Sequence, residues 1–114
     1  MTSVIRGSDN FDSAGGNAVK AWVNFNGTGT PAIRAAFNVS SITDHNTGDY
    51  TVNFATAMPD ANYAVAGSAG TGTVTTQATT MNDHGKTTAG FRVRVGDTAG
   101  AGVDRAHVQL IFCR

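Results

Sequence analysis

Cysteine is nearly absent from this chain. Cys113 is the only one, so no disulfide can close within it and no thiolate cluster can hold a metal. Charge is equally sparse, at 14% of residues, and eight basic side chains cancel eight acidic ones to a formal net charge of zero. Such a chain has no electrostatic funnel towards nucleic acid or an anionic membrane, so neither is expected as a partner. Neutrality also removes long-range repulsion between copies. No run approaches the roughly 18 to 20 apolar residues that a membrane span needs, and MTSVIRGSDNFDSAGG lacks the basic and apolar regions of a secretory signal. Membrane insertion is therefore not expected, and synthesis in a cytoplasm is. Without that signal, the sequons Asn26-Gly27-Thr28 and Asn38-Val39-Ser40 read as turn and strand chemistry.

What is present is Thr, Gly, Ala and Asn, with apolar residues spaced at strand period almost throughout. That pattern predicts a single all-β domain over residues 17–114, a small antiparallel sandwich or barrel-like knob of about eight short strands. In the first strand Val19, Ala21, Val23 and Phe25 share the predicted inner face, and Lys20, Trp22 and Asn24 the outer one. Asn26-Gly27-Thr28-Gly29 supplies a hairpin turn, after which Ile33, Ala35, Phe37 and Val39 resume the inward set. Pro31, having no amide donor, belongs before that strand rather than inside it.

A second turn is expected over residues 44–48, followed by a strand with Tyr50, Val52 and Phe54 inward. Residues 58–62 form the next loop, and Tyr63, Val65 and Gly67 continue the alternation. The stretch GSAGTGTVTTQATT is compatible with a weak hairpin, an exposed loop or a segment ordered by another chain. Asn82-Asp83-His84-Gly85 reads as a turn. Two more half-buried strands follow, with Phe91, Val93 and Val95 against Arg92 and Arg94, and Val108, Leu110 and Phe112 against His107 and Gln109. Residues 1–16 have a different texture, with isolated Val4, Ile5 and Phe11 among Ser, Gly, Asp and Asn. They read as an N-terminal arm that those three side chains would anchor to a neighbouring surface.

Catalytic signatures are missing. His45, His84 and His107 fall in separate contexts, so nothing in sequence joins them as metal ligands. Residues 44–49, DHNTGD, are oxygen-rich but lack the spacing and distal glutamate of a calcium loop. Gly67, Gly70 and Gly72 precede neither a Lys-Ser/Thr pair nor a helix that could receive a phosphate. No nucleophile has a recognisable base, and no carboxylate pair stands out. The expectation is a non-enzyme with no cofactor and no metal.

Residues 20–68 carry a resemblance. The words KAWVNFNGTGT, IRAAFNVSSITD, TGDYTVNF and MPDANYAV, in that order, are similar to a domain of tail-fibre and related surface proteins of tailed bacteriophages. That resemblance implies a virion structural protein made in a bacterial cytoplasm, a tail fibre, spike or appendage knob that contacts other virion proteins and projects from the particle. It also implies a homotrimer. Resembling domains commonly end longer fibre chains, whereas here only a short segment precedes the module, so no shaft is expected and a capsid decoration protein remains the alternative.

Six outward side chains are the candidate contacts: Lys20, Trp22, Asn24, Arg92, Arg94 and His107. Trp22 singles itself out because it lies opposite the core-facing set. It can serve a subunit interface, stack on a host surface glycan as part of a carbohydrate-binding module, or pack in a second layer of its own domain. Tyr50 and Tyr63, which could also hold a sugar, are in phase with core positions and are expected to be buried. Solvation is the ordinary fate of single charges such as Arg92 and Arg94.

Overall fold

The structure, a computed structural model, describes residues 18–72 and 79–114. The predicted arm with Val4, Ile5 and Phe11 lies outside the described residues, as does much of the small-residue stretch. Among the described residues there are eight strands: β1 (Val19–Asn26), β2 (Ala32–Phe37), β3 (Val39–Asn46), β4 (Asp49–Phe54), β5 (Ala64–Gly70), β6 (Thr80–Lys86), β7 (Gly90–Gly96) and β8 (His107–Cys113). They form two four-stranded antiparallel sheets, ordered β2-β1-β8-β5 and β3-β4-β7-β6. No described residue is helical. The chain is therefore all-β, as its alternation predicts.

The core lies between the sheets and is supplied mainly by their central strands. Ala21, Val23 and Phe25 of β1 and Val108, Leu110 and Phe112 of β8 face Tyr50, Val52 and Phe54 of β4 and Phe91, Val93 and Val95 of β7. Phe112 is the hub of an aromatic cluster, edge-to-face with Phe54 at 5.0 Å, Phe91 at 5.6 Å and Tyr63 at 6.0 Å between ring centroids. Such geometry sets the positive edge of one ring against the negative face of another.

Both tyrosines are buried in this core, as their phase predicts, and each spends its hydroxyl on loops. The Tyr50 hydroxyl lies 2.6 Å from Gly27 O and 2.6 Å from Asp104 Oδ1, so one proton is shared between two acceptors on the β1–β2 and β7–β8 connections. Burial, then the Asp104 carboxylate, holds this phenol far above its ordinary range. Tyr63 donates towards Thr87 O and Gly90 O, each at 2.9 Å, and burial pushes it up to about 12. The β3–β4 turn needs glycine at position 48. Its φ is +73°, and a Cβ there would meet the Val95 carbonyl and the Val103 amide.

Strand β2 departs from the expected pattern. Ile33, Ala35 and Phe37 are exposed, and it is Ala36 that packs against the core. For Ala35 and Phe37 register is the cause: Asn24 pairs with Ala35, Val23 with Ala36 and Trp22 with Phe37, which places Ala35 and Phe37 on the outer face, whereas Ile33 pairs with Phe25 and is exposed on the edge strand. A bulge opposite Asn24 and Phe25 then leaves Arg34 unpaired. The expected continuation from Phe37 to Val39 fails because Asn38, at φ +56°, turns the chain out of one sheet and into the other. Its side chain holds that corner, donating to Lys20 O and Thr56 O and accepting from the Thr56 amide at 2.7 Å. Alternation restarts beyond it, and Val39 is half-buried in the second sheet.

Three further expectations are corrected. Val19 is exposed, since a bulge between Val19 and Ala21 displaces the first residue of β1 from the inward set. His45 belongs to β3 rather than to a turn. Asn82-Asp83-His84-Gly85 is part of β6, a polar edge strand that takes its regularity from pairing with β7 rather than from its own alternation.

Candidate functional site: an uncharged outer sheet face

Residues opposite one another in an antiparallel sheet share a face, so the registers map the outer surface of β2-β1-β8-β5 directly. Trp22 pairs with Phe37 on one side and Ile111 on the other, and Ile111 pairs with Ala66. This row, Phe37-Trp22-Ile111-Ala66, crosses the whole sheet. Phe37 is 52% exposed, Ile111 39% and Trp22 38%. One row further lie Ala35, Asn24, Gln109 and Ser68, and on the other side Val19, Cys113 and Ala64. None of these side chains is charged. The cations of the two strands sit at irregularities on the margin, Lys20 at the β1 bulge and Arg34 at the β2 bulge.

Depletion of charge with enrichment of aromatics is the compositional mark of the centre of a protein interface. Beside Trp22 the surface is concave, a depression of about 480 Å³ lined by Asn24, Ala66, Ser68, Gln109 and Ile111 among others. Asn24 Oδ1 is buried there without a hydrogen-bond partner. An orphaned acceptor costs roughly 1–3 kcal/mol, and a donor brought onto this face that reaches it with a small shift of the amide removes that penalty.

The outer face of the other sheet is built differently. Thr43 pairs with Thr51 and Ser41 with Asn53, and these side chains are joined to one another. Asn53 Nδ2 donates to Thr43 Oγ1 at 2.9 Å and Ser41 Oγ at 3.1 Å, and His45 Nε2 lies 2.7 Å from Thr51 Oγ1. Arg92 grips Asp49 with two parallel bonds of 2.9 and 2.8 Å. Those hydrogen bonds and the guanidinium charge hold the Asp49 carboxyl below its ordinary value against the opposing effect of burial.

The six candidate contacts therefore do not form one site. Lys20, Trp22, Asn24 and His107 belong to the first sheet, with His107 on the outer side of β8 and its ring against Gly72. Arg92 and Arg94 lie on the second, where Arg92 is committed to Asp49 and Arg94 Nη2 reaches Gly100 O at 3.3 Å. Trp22 is 38% exposed, as its phase predicts, and no second layer covers it among the described residues. Tyr50 and Tyr63 are sealed in the core and unable to touch a sugar. Phe37 escaped the sequence reading because its partner on β1 is set by register. Ile111 was available to it, since continuing the alternation of Val108, Leu110 and Phe112 places Ile111 outward.

Among the described residues, no group of three or more His, Cys, Asp or Glu side chains is placed to hold a metal ion. Comparison with protein-family models, curated proteins and solved structures finds no match.

Proposed function

We propose that this chain is a non-enzymatic virion structural protein of a tailed phage, a small β-knob that assembles with copies of itself and with other virion proteins through its uncharged sheet face. One observation carries the assembly part: the exposed row Phe37-Trp22-Ile111, flanked by rows without a charged side chain. An aromatic row of this kind costs free energy in water and is stabilised when another surface covers it. Phage origin rests on the resemblance of residues 20–68, and a tail appendage is favoured over a capsid decoration because the resembling domains are mostly fibres. A density map of the intact virion tests the reading in one observation. Density for this chain on a tail appendage is the expected result, density on the head lattice moves it to capsid decoration, and absence from the particle overturns the reading.

A second reading, a carbohydrate-binding module for host surface glycans, is favoured by the depression that sets Trp22 beside Gln109 and Ser68. An indole face with neighbouring amides is the chemistry that holds a neutral sugar. Trp22 is the only tryptophan in the chain. Its fluorescence is therefore a direct probe: a saturable change on adding host glycans supports this reading, and none across a glycan panel removes it.

A further inference from the structure

Each sheet has two edges, and three of the four edge strands are blunted. Exposed edges present unpaired amides and carbonyls to any passing strand, and natural sheets guard them with charges, bulges and proline. Strand β2 follows Pro31, carries Arg34 and is bulged. Strand β3 is irregular at two places and carries Asp44 and His45. Strand β6 carries Asp83, His84 and Lys86, with a break in register between Asp83 and Gly85. Strand β5 has none of these devices. It reads AVAGSAG, without charge or proline, and pairs with β8 in unbroken register from Ala64 opposite Cys113 to Gly70 opposite His107. Among the described residues no strand pairs with its other side.

We propose that β5 is a self-association edge, pairing antiparallel with β5 of a second copy about a two-fold axis to make one continuous eight-stranded sheet. The occupant follows from the strand itself. Centred on Gly67, antiparallel self-pairing sets Ala66 opposite Ser68 and Val65 opposite Ala69. Outward residues then meet outward ones and half-buried residues meet half-buried ones, so no side chain is forced onto the wrong face. Small side chains without charge meet across the axis, and the neutral net charge adds no repulsion. The pairing is also continuous with the uncharged face. It lays the Phe37-Trp22-Ile111-Ala66 row of one copy end to end with the Ser68-Gln109-Asn24-Ala35 row of the other. This inference rests on the self-assembly reading above and replaces the threefold expectation with a two-fold contact, since the same patch is used by both partners.

Cysteine pairing across the axis is the test, with the full chain and Cys113→Ser as background. Residues directly opposite in an antiparallel pair have Cα atoms about 4.5–5.5 Å apart, which suits a disulfide. Ala66→Cys mixed with Ser68→Cys should give a covalent dimer on mild oxidation, while either variant alone should give little. Amide exchange along β5 should slow at least tenfold as protein concentration rises through the association range. Association without the mixed cross-link overturns the edge contact and leaves the virion reading standing. A protein that stays monomeric at high micromolar concentration overturns it as well. So does a monomer whose β5 amides are protected until residues 1–17 are removed, because the occupant is then the chain's own N-terminal segment.

Discussion

The two sheets share one architecture and have opposite outer surfaces. On β3-β4-β7-β6 the outward polar groups are engaged within the chain, His45 with Thr51, Asn53 with Ser41 and Thr43, Arg92 with Asp49. On β2-β1-β8-β5 the outward row is Phe37, Trp22 and Ile111, and beside it Asn24 Oδ1 is buried without a hydrogen-bond partner. The first surface is complete when it faces water. The second presents an apolar row to solvent. Both faces cover the same core, and under the proposed assembly the difference reflects what each face meets.

The sharpest way to break this contrast is to put a charge at the centre of the uncharged face. Trp22→Asp places a carboxylate in the middle of the apolar row, and burying it against an apolar partner surface is costly. Association should weaken by about 100-fold or more, measured by light scattering across a dilution series, with the β-sheet signal of the monomer intact. An unchanged mass at every concentration would remove the face from the assembly. Wild-type association through this face should also be insensitive to salt up to about 0.5 M, because no ion pair is there to be screened.

Next in size is a change beneath both faces that spares the contrast. Tyr50→Phe removes the donor from Gly27 O and from the Asp104 carboxylate, a loss of about 1–3 kcal/mol in chemical denaturation, without altering the association constant of the folded protein. Alkali tests the same clamps in the wild type. A phenol titrates near about 10 when unfolded. Tyr63 is held at about 12 in the fold. The folded state keeps its proton through that interval, so its stabilisation is whole below the lower value and is lost as pH climbs towards the upper one. Tyr63→Phe should flatten the decline in melting temperature over this window.

Acid separates the faces in the other direction. Asp49 titrates below its ordinary value because Arg92 bonds its charged form, so the contribution is present above about pH 4 and lost as pH falls through the lower folded value. Asp60, held by Arg114 at about 2, behaves alike in the loop before β5. Asp49→Asn should therefore reduce the acid-induced fall in melting temperature while leaving association untouched. An association constant that moved with it would join the two faces in one contact.

Legibility in the sequence divided along the same line as the physics. Val23, Phe25, Tyr50, Val52, Val93 and Phe112 could be placed inward because a half-buried strand carries its own period of two, and Trp22 could be placed outward by the same rule. Phe37 could not. Its direction depends on pairing with Trp22 and on the Asn38 corner, neither of which is local. Residues 82–85 of β6 read as a turn because an edge strand with polar residues on both faces has no alternation to show. Alternation placed Trp22, Arg92 and Arg94 outward, but strand order decides which face, and that divided Trp22 from Arg92 and Arg94. The unguarded edge of β5 was invisible for the same reason, since AVAGSAG says nothing until β5 is known to be last in its sheet.

The smallest expected effect refines the polar face itself. Asn53 reaches two hydroxyls from a central strand, Thr43 Oγ1 at 2.9 Å and Ser41 Oγ at 3.1 Å. If this ladder serves as a hydrated surface, water can replace the amide at both hydroxyls once it is gone. Asn53→Ala should then cost no more than about 0.5 kcal/mol by chemical denaturation, with the association constant unchanged. A loss several times larger would mean that the ladder is shielded from water in the working assembly. That outcome would make the second sheet a covered face too, and the contrast between the sheets would become one between a polar and an apolar contact rather than between a surface and an interface.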